Sequence, residues 1–136
     1  MKAKAVLLLS LMCALPVSAA NVIIVSAKNN SGIDADAVKR IYLGKMKAFP
    51  DGSKALPLTF EQGNDVRGAF NTGVLGKSES QYSAFWSKLV FTGKGQPPKA
   101  LGSDAEVVSA VAADPGAIGY VDAGSVDGSV RVVATF

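Results

Sequence analysis

The sequence predicts an α/β domain: a mostly parallel sheet covered by helices on both faces. Three observations carry this prediction. Short β-branched runs alternate along the chain with segments of helical spacing. The runs are almost continuously apolar, as strands buried on both faces are. Helix-starting and helix-stopping residues punctuate the segments between them.

Taken in order, Asn21 to Ala27 (NVIIVSA) is a first strand, and Lys28 to Gly32 is a turn. From Ile33 to Leu43, apolar Ile33, Ala37, Val38, Ile41 and Tyr42 recur at helical spacing, with Gly44 placed to cap the end. Pro50-Asp51-Gly52 is a turn, and Ala55 to Phe60 is a second strand. A polar stretch, Glu61 to Asp65, leads into a short helix from Val66 to Asn71. Ser78 to Phe91 is the clearest long helix, with Ser78 as N-cap and Tyr82, Phe85, Trp86, Leu89 and Val90 on one face. Thr92 to Pro98 is a loop. Ser103 and Glu106 have the spacing of a capping box ahead of Val107, Val108, Ala110 and Val111. Pro115-Gly116 stops that helix, and Ala117 to Val121 and Val130 to Thr135 are the last strands.

One position stands out. Gly119 interrupts the apolar run AIGYV, and a glycine inside a strand often marks close approach by another backbone, a ligand or a helix. Two readings fit equally: the strand borders a cleft, or Gly119 receives a helix, such as the one bearing Trp86. Tyr120 beside it is read as core or cleft wall.

The first 20 residues, MKAKAVLLLSLMCALPVSAA, place Lys2 and Lys4 before an apolar run that ends in small residues. This is the three-part pattern of a secretory signal peptide, with cleavage expected after Ala19 or Ala20. The competing reading, a retained membrane anchor, asks for a longer apolar run. Residues 21–136 are then one domain. Cys13 is the only cysteine and lies in the leader; the chain has no histidine. An exported domain without a disulfide points to a bacterial periplasm. Without Lys2 and Lys4, twelve basic and eleven acidic side chains remain, scattered along the sequence. That weak field argues against a nucleic-acid partner.

The same composition excludes much chemistry. Without His or Cys, residues 21–136 hold no Ser-His-Asp triad, no cysteine nucleophile and no ordinary zinc site. Gly76-Lys77-Ser78 resembles the tail of a phosphate-binding P-loop, but Asn71 stands where its first glycine belongs and no strand precedes it. Asp122 and Asp127-Gly128 lack the alternating acids and closing glutamate of a calcium loop. Glu61 and Asp65 are acids on a polar loop, where solvation is the ordinary state. The expectation is a non-enzymatic protein with no catalytic residue, metal or cofactor.

Three segments, Ile41-Tyr-Leu-Gly-Lys45, Glu61 to Phe70 (EQGNDVRGAF) and Pro115-Gly-Ala-Ile-Gly-Tyr-Val121, follow one another at characteristic distances. In that order they resemble the phosphate-type periplasmic substrate-binding proteins of ABC transporters, over nearly all of residues 21–136. The resemblance implies one lobe of a type II periplasmic-binding-protein fold, since two lobes and a hinge do not fit in this length. It also implies an anion loop. That loop carries an Arg, then Ser-Gly-Thr at a helix N-terminus, where free N–H groups and the positive helix end hold phosphate. Aligned on Phe70, the Arg position is Phe60, and the Ser-Gly-Thr positions are Asn64, Asp65 and Val66.

Two readings of the altered loop follow. In one, Gly63, Asn64, Asp65, Val66 and Arg67 still form an anion-facing turn that binds phosphate or another oxyanion. In the other, Asn64 and Asp65 cap a helix, and Arg67 is solvated on its face. Losing two or three charge-assisted hydrogen bonds, at about 1.5–3 kcal/mol each, lowers affinity by several powers of ten. The implied role is solute binding related to phosphate ABC transport. The implied partners are a small oxyanion and a transporter permease or another periplasmic protein. The alternative is an interaction module, or a homodimer, using the lobe's former cleft surface.

Overall fold

The computed structural model describes residues 20–136, so the expected leader lies, except for Ala20, outside the described residues. The elements are β1 (Asn21–Ser26), α1 (Ala35–Tyr42), β2 (Leu56–Phe60), α2 (Asp65–Phe70), a π-helical turn (Asn71–Leu75) and α3 (Glu79–Phe91). They continue with β3 (Lys99–Leu101), α4 (Asp104–Ala113), β4 (Ala117–Asp122), a 3-10 turn (Ala123–Ser125) and β5 (Val130–Thr135). The five strands form one sheet in the order β3-β2-β4-β1-β5.

Four strands run in one direction and β1 alone is reversed. The expectation of a mostly parallel sheet is met in strand direction. It needs correction in pairing, because β1 lies between β4 and β5 and makes both of its ladders antiparallel. A bulge on β5 at Val133 shifts the register between Ile23 and Ile24. Beyond this ladder, Asn21 and Phe136 exchange both backbone hydrogen bonds, at 3.2 and 2.9 Å.

Caps set the helices as side-chain chemistry dictates. Asp34 caps α1 through Ala37 N–H at 2.7 Å, and Gly44 leaves that helix at φ +69°, a left-handed turn where glycine costs least. Ser78 and Gln81 form a complete capping box on α3. On α4, Ser103 accepts from Glu106 N–H, but the Glu106 carboxylate reaches past the cap to Gly102 N–H at 2.7 Å. The predicted box is thus half formed.

Helices cover both faces. On one, α4 lies across β4: a Cβ built on Gly119 would stand 2.7 Å from Val107 Cγ1 and 3.2 Å from Val111 Cγ2. Gly119 therefore receives a helix, and that helix is α4, not the one carrying Trp86. On the other face, Tyr120 stacks on Phe70 at 4.0 Å between ring centroids, with Tyr42, Phe60 and Phe136 around them. The Tyr42 hydroxyl donates to the Leu58 and Ile118 carbonyls, at 2.6 and 3.1 Å, tying α1 to β2 and β4. Trp86 of α3 packs its ring edge on Gly44, where a Cβ would lie 2.9 Å from Cη2.

Two expectations change. Directly after the loop at Thr92 to Pro98 the chain adds β3, a strand of only three residues, which no period could reveal. The predicted apolar face of α3 is also narrower: Tyr82 and Trp86 are buried, but Val90 is 51% exposed and the adjoining Phe91 92% exposed.

Candidate functional site

The parallel strands β2, β3 and β4 end together, and in open α/β sheets ligands bind outside such carboxyl ends. The turn after β2 carries the five residues singled out in the sequence. Glu61 is tied to the end of β3 by its N–H on Leu101 O at 3.1 Å, and Gly63 turns the chain at φ +92°. Asn64 is the N-cap of α2: its Oδ1 accepts from Arg67 N–H at 3.0 Å. Asp65 opens the helix and is exposed; Val66 is half-buried. The Asp65 and Val66 backbone N–H groups have no acceptor among the described residues, as the first amides of a helix ordinarily lack one.

Arg67 departs from the reading that leaves it solvated on the helix face. Only 8% of it is exposed. Its guanidinium grips Glu79 through Nε at 3.1 Å and through a second, shorter contact, and donates to Phe60 O at 2.8 Å. The Tyr82 ring lies 5.0 Å beneath it. Asn71 completes the cluster by donating to Glu79 Oε2 at 2.9 Å. The guanidinium thus returns to the carbonyl of Phe60, the position where the resemblance places the family's Arg, but arrives already neutralised by Glu79. No signal in the sequence paired residues 67 and 79, which are joined only by the turn between α2 and α3.

Asp104 accepts from Ser125 Oγ at 2.6 Å and Asp122 N–H at 3.3 Å, and Asp122 accepts from Gly124 N–H at 2.8 Å. These carboxylates organise the ends of β4 and α4. Burial pushes the Tyr82 and Tyr120 hydroxyls up to about 12, so both stay protonated in ordinary conditions. Tyr120 shares a 2.6 Å hydrogen bond with Thr59 inside the core and does not reach the turn. The turn can offer an oxyanion two backbone N–H groups and the Asn64 amide, against the carboxylate of Asp65 and without a free cation of its own.

Comparison with known proteins agrees on the fold. No family model and no curated protein matches the sequence. Among solved structures, an ABC-type phosphate transport receptor from Vibrio cholerae matches with a TM-score of 0.64 at 20% identity, over 85% of this chain and 46% of its own. PstS from Borrelia burgdorferi matches with a TM-score of 0.62 at 14% identity, over 85% and 47%. The chain therefore has the fold of part of a phosphate-type substrate-binding protein, and spans less than half the length of these two neighbours.

Proposed function

We propose that the chain is a periplasmic solute-binding-like protein related to phosphate ABC transport, without catalytic activity. It holds phosphate or another small oxyanion weakly at the turn Gly63, Asn64, Asp65, Val66 and Arg67. The observation that carries this reading is the pair of unpartnered N–H groups on Asp65 and Val66, at the strand ends where folds of this kind take ligands. Arg67 serves as a positioning residue, because its donors are spent on Glu79 and Phe60 O. The missing cation and the adjacent Asp65 carboxylate set the affinity low.

Calorimetric titration of phosphate tests the proposal. Saturable binding in the millimolar range is expected, tightened by Asp65→Ser, which removes a negative charge and adds a hydroxyl. No binding by either protein at tens of millimolar phosphate would defeat it.

A second reading, an interaction module, rests on a different observation. An apolar cleft of about 590 Å³ runs beside Val90 and Phe91, lined also by Pro97 and Pro98. A large aromatic exposed at such a cleft is the kind of surface that protein contacts cover. This reading takes a second copy of the chain as the partner. It requires dimers in sedimentation that Phe91→Ser abolishes; a wild-type protein monomeric at high concentration removes it.

A further inference from the structure

A second cleft, of about 620 Å³, opens at the opposite end of the sheet, where β2, β3 and β4 begin. Its walls are mostly apolar, with Met46, Leu56, Trp86 and Ala110 among them. Three lysines border it: Lys47 and Lys54 from the two arms of the hairpin turned at Pro50-Asp51-Gly52, and Lys99 from the start of β3. All three are exposed, and none forms a salt bridge among the described residues. The one carboxylate lining the cleft, Asp114, accepts from Gly116 N–H at 2.8 Å.

We propose that this cleft binds a small amphipathic carboxylate: an apolar chain or ring bearing one anionic group. The volume lies in the range of small-molecule sites, which combine apolar walls with a few polar groups that fix orientation. Lysines scattered on a surface are usually only solvated. Here three separate lysines line one mostly apolar recess, so a ligand's apolar body and its charge are served together. A small inorganic anion would leave the apolar walls uncovered. A neutral apolar ligand would leave the lysines without a counter-charge. The amphipathic anion satisfies both. The site is independent of the turn at 63–67, which sits at the other end of the same strands.

Trp86, the only tryptophan, lines both this cleft and the one beside Phe91, so its fluorescence reports binding and the lysine variant below assigns it to this cleft. Octanoate titrated into the full chain should shift its fluorescence saturably, with calorimetry as a second readout. Octanamide, the neutral analogue, should bind at least about tenfold more weakly, the loss expected for one charge-assisted contact. The variant with Lys47→Gln, Lys54→Gln and Lys99→Gln should lose octanoate binding by about tenfold or more, while circular dichroism confirms that it is folded. Ala110→Leu should weaken binding with the lysines intact, and inorganic phosphate should not compete. No saturable signal in either readout, equal affinity for octanamide, or unchanged binding by the triple variant would each overturn the proposal.

Discussion

Gly119 on β4 lies directly under Val107 on α4: the missing Cβ would stand 2.7 Å from the valine Cγ1, closer than side chains approach one another. The substitution Gly119→Ala should therefore push α4 off the sheet and destabilise the protein by about 1–3 kcal/mol, as overpacking of a filled core does. Urea denaturation measures this. The paired change Gly119→Ala with Val107→Ala should recover part of the loss, since it vacates the contested space; additive losses would show that the contact is not the cause.

Arg67 and Glu79 form a largely buried ion pair, and removing one partner strands the other. Glu79→Ala should cost about 3 kcal/mol, because the Arg67 guanidinium would stay in the interior uncompensated. The double change Arg67→Met with Glu79→Leu should be much milder than the sum of its parts, and thermal melts of the set give the coupling. Glu79→Gln bears on function as well. It removes the charge that neutralises Arg67 beside the turn, so phosphate affinity should rise as overall stability falls.

The three tyrosines, Tyr42, Tyr82 and Tyr120, account for all phenols in the chain. Burial raises all three, Tyr82 and Tyr120 to about 12 and Tyr42 well above its ordinary 10. In the unfolded chain they ionise near pH 10. The unfolded state therefore loses protons first, so this contribution to stability is complete below about pH 10 and is lost as pH rises towards about 12. Alkaline titration followed at the phenolate absorbance should show no ionisation near pH 10 while the protein stays folded, then a cooperative rise on unfolding. A smooth single-site curve at pH 10 would contradict the packing of these rings.

Phe91 ends α3 almost fully in solvent, so Phe91→Ser should change stability by less than about 0.5 kcal/mol, as at other surface positions. Any larger loss would mean that the ring is covered in solution. The denaturation midpoint at low and high protein concentration separates these outcomes, because only a covered ring makes the effect depend on concentration.

Much of this architecture was legible from local chemistry. The runs at 21–26, 117–122 and 130–135, the Ser78 cap and the Gly44 stop all announce themselves within a few residues. What escaped was set by distant pairing. The reversal of β1 depends on which strands flank it, and a strand's own sequence carries no direction. β3 is three residues held by β2, too short for a period. Gly119 declared that something came close but could not say which helix, since α3 and α4 both offer apolar faces. At the site, Asn64 and Asp65 were readable as a helix start. The burial of Arg67 was not legible, because a basic residue on a short helix is ordinarily solvated and its partner Glu79 lies beyond a π turn. The lysine-rimmed cleft left no trace in the sequence, because its walls come from segments far apart in the chain.

The mutual pairing of Asn21 and Phe136 has a mechanical consequence. Because β1 and β5 are antiparallel neighbours, both ends of the described chain leave the sheet at the same corner. Tension applied between them would act across the ladder, loading its hydrogen bonds one after another from that corner inward. The domain would unzip under small force, not shear as a unit.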